Sequence, residues 1–259
     1  MITYRSQAEI ARMHQANQLV ALILAELEAA VAPGVSTADL DVMAERLVRD
    51  AGAVPAFKGY RGYPATLCAS VNEQVVHGIP SKRPLGDGDI VSLDIGVKLA
   101  GFYGDSAVTV AVGTVDDRTV QLLAVTRDSL EKAIEQVRVG QRLSDIGHAV
   151  QAHVEAHGFS VVREFVGHGI GEELHEDPQV PNYGQPGRGP KLAEGMVLAI
   201  EPMVAIGRPD VRILADGWTA VTRDGSLSAH FEHTVAVTSD GPLVLTRRSA
   251  VAATQRRAS

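Results

Sequence analysis

Five residues of this chain are of types that hold divalent cations, and each sits where a charged or ligating side chain is out of place: Asp94, Asp105, His168, Glu201 and Glu232. Between Asp89 and Ala107, strict alternation sets Val91, Leu93, Ile95 and Val97 on one face of a strand and Ser92, Asp94 and Gly96 on the other. A second strand follows a turn near Leu99 to Gly101, and a two-residue turn at Leu99-Ala100 puts Asp94 directly opposite Asp105 unless a bulge shifts the register. At about 5 Å between Cβ atoms, like charges there destabilise the sheet unless a cation lies between them. Two solvated aspartates on an exposed hairpin would explain this stretch alone, but the pattern recurs. Glu201 ends the apolar run that starts at Met196, and Glu232 enters a strand of small and β-branched residues, where an unpaired carboxylate is prohibitive. His168 lies between Gly167 and Gly169, a setting in which backbone approaches an ion closely.

Four carboxylates carry a charge that two divalent ions neutralise, whereas one ion leaves strong residual repulsion. An oxygen-rich set with one imidazole and no thiolate suits an open site for Mn, Co, Fe or Zn rather than a closed structural zinc site. Two such ions about 3.5–4 Å apart supply hydroxide at neutral pH and polarise a carbonyl, which is metallohydrolase chemistry.

The elements that must position these groups are legible in outline. Apolar residues at helical spacing run from Gln7 to about Val31 and stop at Pro33-Gly34. Ser36 to Asp39 has the spacing of a capping box, and Leu40, Met43 and Leu47 form the apolar face of a second helix ending near Gly52. A second helix pair is expected over 120–137 and from Ser144-Asp145 to Gly158. Gly34, Asp39, Leu40 and Gly52 align with Gly140, Asp145, Ile146 and Gly158 at a constant offset of 106, as do Leu24 and Val31 with Leu130 and Val137. That suggests two similar α/β halves about a pseudo-two-fold axis, each adding strands after its helices: around 66–76 and 90–112, then 161–166, 196–204, 219–221 and 230–237. Antiparallel sheet covered by helices on one side, an α+β fold, is the economical packing. The expected organisation is one catalytic domain over 1–245, with halves 1–113 and 114–245, and a flexible tail over 246–259.

The chain has 259 residues, 45% of them hydrophobic, enough for one large core. A net charge of −7 with no basic block in the main body leaves no footprint for a polyanion partner. The single cysteine, Cys68, excludes an intrachain disulfide framework and fits a reducing compartment. No apolar run approaches the ~20 residues of a membrane span. A cytoplasmic protein is expected. His14, His148, His153 and His157 fall on expected helices and read as solvated or packing residues, and His233, on the face opposite Glu232, as a hydrogen-bonded one.

In order along the chain, CASVNEQVVHGIP (Cys68 to Pro80), SLDIG, FYGDSA, VGHGIG, LHEDP, AIEPM, DGW and SAHFEHTVAVT resemble the type I methionine aminopeptidases, from about residue 5 to 245. The resemblance implies the pita-bread fold, in its minimal form, and removal of the initiator methionine from nascent proteins whose second residue is small, by attack of a metal-bridging hydroxide on the first peptide bond. It implies that Asp105 and Glu232 bridge two metal ions, that Asp94 completes one, and that His168 and Glu201 complete the other. His77 would assist transfer to the leaving nitrogen and His175 would stabilise the oxyanion, neither as a metal ligand. Tyr60, Tyr63, Cys68, Trp218, Phe57 and Leu174 would line the methionine pocket, whose aromatic and apolar walls suit a polarisable thioether. Phe57 and Leu174 stand where the best-known bacterial members have cysteine and phenylalanine, and His230 where glutamine is common. A monomer that meets the N-terminal methionine of nascent chains, with transient ribosome association and neither a nucleic-acid-specific site nor a membrane contact, is the accompanying expectation. Two other readings share the scaffold: a proline-directed aminopeptidase or dipeptidase, and a non-catalytic binding protein.

Overall fold

The computed structural model describes residues 1–247. The first half comprises α1 (Gln7–Ala30), α2 (Thr37–Asp50), β1 (Val54–Pro55), β2 (Leu67–Val71), β3 (Gln74–Val76), β4 (Ile90–Leu99) and β5 (Phe102–Ala111). The second comprises α3 (Asp117–Ile134), α4 (Leu143–Ala156), β6 (Ser160–Val161), β7 (Gly167–Gly169), β8 (Glu176–Val180), β9 (Val197–Ile200), β10 (Met203–Ala205), β11 (Val211–Ile213), β12 (Ala220–Thr222), β13 (Ser228–His230), β14 (His233–Thr238) and β15 (Gly241–Val244).

Local chemistry sets the helix starts. Ser6 with Glu9, and Ser36 with Asp39, close reciprocal capping boxes on α1 and α2, so the first orphan N–H groups of each helix are satisfied by side chains. Helix α3 begins three residues earlier than the apolar spacing suggests, because the Asp116 carboxylate accepts from the Thr119 N–H at 2.6 Å. Helix α4 begins at Leu143 rather than at Ser144: the Asp145 carboxylate accepts from the Arg142 N–H, while Ser144 Oγ accepts from the Arg188 N–H.

In the first half β4 pairs antiparallel with β5 on one edge and with β2 and β1 on the other. Val91, Leu93, Ile95 and Val97 face Val20, Leu24 and Leu27 of α1 and Leu40 and Val48 of α2, as the alternation implies. In the second half β15-β14-β9-β7-β8 form a five-stranded sheet. Its Leu198, Ile200, Val235 and Val237 pack against Leu122, Leu130, Ile146 and Val150 of α3 and α4. Two three-stranded sheets, β13-β10-β6 and β11-β12-β3, complete the strands.

The internal repeat extends to backbone detail. Helices α2 and α4 are offset by 106 residues at both ends. Gly34 and Gly140 share φ of 92° and 90°, Gly52 and Gly158 φ of 72° and 71°. The Gly34 N–H donates to Leu85 O at 2.8 Å and the Gly140 N–H to Leu192 O at 2.9 Å. Between these points the offset grows by one residue, so that Gly88 matches Gly195, at φ of 92° and 90°, and Asp94 comes to match Glu201.

Two expected strands are interrupted. The 196–204 run divides at Glu201-Pro202 into β9 and β10, and the 230–237 run divides at Phe231-Glu232 into β13 and β14. The halves of each run enter different sheets. The strand expected over 161–166 is reduced to Ser160–Val161. Thr246 and Arg247, placed in the tail by composition, are docked: Gln18 donates to the carbonyls of Leu245 and Arg247, and Arg247 pairs with Glu131. The rest of the expected tail, from residue 248, lies outside the described residues. Among the described residues no helix is long and apolar enough to cross a membrane.

Helix α1 lies so close to β5 that a Cβ at Gly104 would meet Ala16 C and Asn17 N at 2.9 Å, both backbone atoms that cannot swing aside. Gly104→Ala is therefore expected to destabilise the protein by about 1–3 kcal/mol. Thermal unfolding should show a Tm lower by roughly 2–4 °C per kcal/mol; an unchanged Tm would mean that α1 is not packed this tightly.

Candidate functional site

The hairpin of β4 and β5 turns at Ala100-Gly101, not at Leu99-Ala100. Both central residues have positive φ, 51° and 88°, the conformation a tight hairpin needs, and Gly101 adopts it without a Cβ penalty. Leu99 pairs with Phe102, so Asp105 stands opposite Gly96 and Asp94 opposite Ala107. The expected direct opposition of the two aspartates is thus corrected to a diagonal on the same face, close enough that the Asp94 charge helps to raise the Asp105 carboxyl. On the other edge of β4, Cys68 stands opposite Asp94.

Glu201 and Glu232 occupy the two strand interruptions. Ile200 pairs with His233 before the break and Met203 with His230 after it, so one register runs through and sets the two glutamates across from each other. Pro202, which has no N–H, cannot continue the ladder, and its carbonyl accepts from the Phe231 N–H at 3.3 Å. The β13–β14 segment is stitched to β5: Ser106 Oγ donates to Glu232 O at 2.6 Å, the Glu232 N–H to Ala107 O at 2.9 Å, and Thr234 Oγ1 to Asp105 O at 2.8 Å. These bonds carry the carboxylates of one half against those of the other.

His168 on β7 pairs with Ala199, two residues before Glu201 and on the same face. Its Nδ1 lies 2.8 Å from Gly169 O, so Nδ1 carries the proton and Nε2 presents its lone pair. That Nε2 is 3.6 Å from Glu201 Oε1 and 3.9 Å from Asp105 Oδ2. Ligating atoms of Asp105, His168 and Glu232 lie within 4.8 Å of one another. Asp94 Oδ1, Asp105 Oδ1 and Glu232 Oε1 are buried and accept no hydrogen bond. Burial pushes the Asp94 carboxyl up to about 7 and, with the neighbouring carboxylates adding to it, raises Asp105, Glu201 and Glu232 well above the ordinary range. Burial also holds His168 down to about 3. Buried carboxyl oxygens without partners, beside the bare Nε2 of His168, in a setting that disfavours their negative charge, fit a divalent cation centre.

The carboxylates form part of the wall of a cavity of about 180 Å³. All thirteen residues named from the sequence line it: Phe57, Tyr60, Tyr63, Cys68, His77, Asp94, Asp105, His168, Leu174, His175, Glu201, Trp218 and Glu232. Phe57 comes close because Gly96 has no side chain, since a Cβ there would lie 2.7 Å from the Phe57 ring. Tyr63 OH donates to Gly78 O and Leu67 O, and its ring meets Trp218 edge-on at 5.2 Å. His77 is held at φ 59° with Phe165 against its ring, and burial lowers it to about 4. His175 Nδ1 lies 2.8 Å from Tyr60 OH, and burial followed by the Arg61 charge lowers its pKa.

Sequence reasoning missed Arg61, the cavity's remaining wall residue, which carries no periodic or motif signal of its own. It also left the place of His230 open. That imidazole is buried, with Nε2 unpartnered 3.7 Å from Glu201 Oε2, yet it does not line the cavity. His233 Nδ1 is 2.8 Å from Thr246 Oγ1, in agreement with a hydrogen-bonded role. His148 and His157 bond backbone carbonyls on the surface, away from the cavity.

A profile of metallopeptidase family M24 matches residues 11–239. The chain is similar to methionine aminopeptidase 1 of Bacillus subtilis, at 53% identity over 247 residues that cover 95% of this chain and 100% of the relative. Its fold is similar to the crystal structure of methionine aminopeptidase from Thermotoga maritima, with a TM-score of 0.94 and 49% identity over 96% of this chain and 100% of that one. A prolidase from Pyrococcus horikoshii shares the fold at a TM-score of 0.78 and 21% identity, over 95% of this chain and 64% of that one.

Buried carboxylates without partners repel one another. In chelated protein, Glu232→Gln is expected to raise Tm by ~2–4 °C, about 1 kcal/mol, by replacing a carboxyl whose ionised form the cleft disfavours with a neutral amide of the same shape. The same substitution should abolish the Tm increase that added Mn²⁺ or Co²⁺ gives the unsubstituted chain. A lower Tm in the chelated variant would show that the carboxylates are not mutually destabilising.

Proposed function

The chain belongs to metallopeptidase family M24, and from that premise we propose that it is a methionine aminopeptidase that removes the N-terminal methionine of nascent polypeptides when the second residue is small. The observation that carries this reading is the juxtaposition in one cavity of partnerless buried carboxylates and an apolar slot walled by Phe57, Tyr63, Cys68, Leu174 and Trp218. Membership of the family implies divalent metal, and the donor set fits it. In this reading Asp94, Asp105, His168, Glu201 and Glu232 would hold two ions, of Mn, Co, Fe or Zn, with Asp105 and Glu232 as the ligands that would be shared. Two ions, rather than one, balance four carboxylates gathered where desolvation disfavours each charge. When bound, such ions acidify a water and polarise the scissile carbonyl.

The rest of the chemistry belongs to this chain's own residues. The slot buries the methionine side chain, and a thioether gains from aromatic walls through many weak contacts. The Tyr60 hydroxyl lies 2.8 Å from His175 Nδ1; in this reading it is the donor of that bond, so the ring proton sits on Nε2, from which it can be donated to the carbonyl oxygen as negative charge builds there. The lowered pKa of His175 keeps the ring neutral near pH 7, so it acts as a hydrogen-bond donor and not as a competing cation. His77, neutral for the same reason, lies at the scissile amide in this reading and assists proton delivery to the leaving nitrogen. The edge-on Phe165 ring holds the His77 imidazole in orientation.

A proline-directed activity is not favoured, since the likeness to the prolidase rests on the fold alone, and a non-catalytic role has no support from a ligand set in which every position is filled. The same reading places the protein in the cytoplasm as a monomer that meets its substrate on or near the ribosome.

Methionine release from Met-Ala-Ser, Met-Leu-Ser and Ala-Pro-Ser peptides, after chelation and again after Mn²⁺ or Co²⁺ is restored, tests the proposal. Metal-dependent cleavage of Met-Ala-Ser alone is expected; cleavage of Ala-Pro-Ser alone would move the chain to the proline-directed group. His77→Ala should lower kcat by roughly 10²-fold or more while bound metal stays at the unsubstituted level. Loss of metal in that variant would make His77 a ligand instead.

A further inference from the structure

Arg61 is the wall residue that the proposed reaction leaves without a task. It is exposed, whereas the carboxylates and the apolar slot lie deeper, and among the described residues none of the ion pairs involves its guanidinium. Its position is nonetheless fixed. The loop holds Arg61 in the left-handed region at φ 48°, between Gly59 at 87° and Gly62 at 91°. The guanidinium lies over the Tyr60 ring at 5.3 Å, a cation–π contact. Tyr60 in turn is bonded to His175, and the Arg61 charge is near enough to lower the His175 pKa. A held, unpaired cation therefore stands beside the residue that meets the scissile carbonyl.

A peptide whose first side chain fills the slot cannot continue inward, because the carboxylates and the sheets close the floor. The chain beyond the cut bond must leave past the exposed side of the cavity, where Arg61 sits. The guanidinium lies 5.3 Å from the Tyr60 ring centre, which is itself 5.3 Å from that of His175, so it is within about 11 Å of His175, a span that up to about three extended residues cover. We propose that Arg61 is a specificity-determining residue that reads charge in the substrate downstream of the scissile bond, favouring an acidic side chain at the third or fourth residue and disfavouring a basic one. The inference rests on the aminopeptidase reading above. Arg suits this task better than Lys, because its planar fork matches a carboxylate and can stay stacked on Tyr60 while it pairs.

The test compares kcat/KM for four C-terminally amidated peptides, so that no terminal carboxylate competes: Met-Ala-Ser-Ser, Met-Ala-Asp-Ser, Met-Ala-Ser-Asp and Met-Ala-Lys-Ser, all with Mn²⁺ present. Ratios to the neutral peptide are read, so any general effect of a substitution cancels. The unsubstituted enzyme should favour at least one Asp peptide by about 3- to 5-fold, carried by KM, and disfavour the Lys peptide; a solvent-exposed ion pair supplies no more than that. The preference should shrink when salt is raised from 50 to 500 mM, at which the screening length falls to about 4 Å. Arg61→Gln should bring the ratios to one, Arg61→Lys should retain part of the preference, and Arg61→Glu should invert it. These replacements are unbranched at Cβ, which limits added strain in the left-handed region. Equal ratios in the unsubstituted enzyme, or a preference that survives in Arg61→Gln, would overturn the inference and leave the aminopeptidase reading intact. No cleavage of any of the four would instead count against that reading itself.

Discussion

The structure depends on keeping four carboxylates together in a poorly solvated cleft. Asp94, Asp105, Glu201 and Glu232 are brought within reach of one another with several oxygens accepting no hydrogen bond, an arrangement that costs stability on both desolvation and Coulombic grounds. What offsets that cost lies outside the cleft. Each half has its own apolar cluster of helices on sheet, and the halves are joined by hydrogen bonds from Ser106 and Thr234 and from the Glu232 backbone N–H. The charges themselves contribute nothing favourable to the fold until a cation enters.

The pseudo-two-fold relation explains how the cluster is assembled. The central strand of each half carries one carboxylate, Asp94 midway along β4 and Glu201 immediately after β9, and its antiparallel neighbour supplies the second, Asp105 on β5 and Glu232 immediately before β14. The other edge breaks the symmetry. In the second half His168 stands across from Ala199, whereas the equivalent position in the first half is Ser70, across from Ser92. Ser70 Oγ is spent on the Gly78 N–H, which turns the chain just after His77. One half thus supplies an imidazole to the carboxylates and the other uses the matching place to hold the His77 loop.

Those positions differ in how far sequence alone discloses them. Alternation over Val91 to Val97 fixes the core face and, by exclusion, the cleft face carrying Asp94, because a period of two leaves no other choice. The register is less determined, since a hairpin centred on Leu99-Ala100 or on Ala100-Gly101 satisfies the same hydrophobic pattern; only the preference of Gly101 for positive φ selects the second. The apolar run through Glu201 reads as one strand, and the signal that it breaks was available in Pro202, which cannot donate to a ladder. Five of the thirteen cavity residues, Asp94, Asp105, His168, Glu201 and Glu232, stood out by themselves as ligating groups in apolar or glycine-rich settings; the other eight gather from segments scattered from Phe57 to Trp218 that no spacing rule connects, and their grouping followed from resemblance to a family of motifs. Arg61 and the burial of His230 escaped both routes, because each depends on where a loop or an interrupted strand lies in space.

The imidazoles of the cleft sharpen the case for an external cation. Four neighbouring carboxylates would ordinarily favour imidazolium and so supply counter-ions from within the protein. Burial wins instead: His168 and His230 are held down to about 3 and His77 to about 4, so all three are neutral at pH 7. For His168 the hydrogen bond to Gly169 O fixes which nitrogen keeps the proton and turns the bare one toward Glu201 and Asp105. Among the described residues no lysine or arginine pairs with the carboxylates to take the place of imidazolium; Arg61, on the cavity wall, is stacked on Tyr60. The cleft therefore excludes its own cations while presenting lone pairs of two kinds, carboxylate and imidazole, in contact distance of one another. A fold that invests two sheets in gathering anions, and then withholds every internal positive charge from them, is built to be completed by ions from solution.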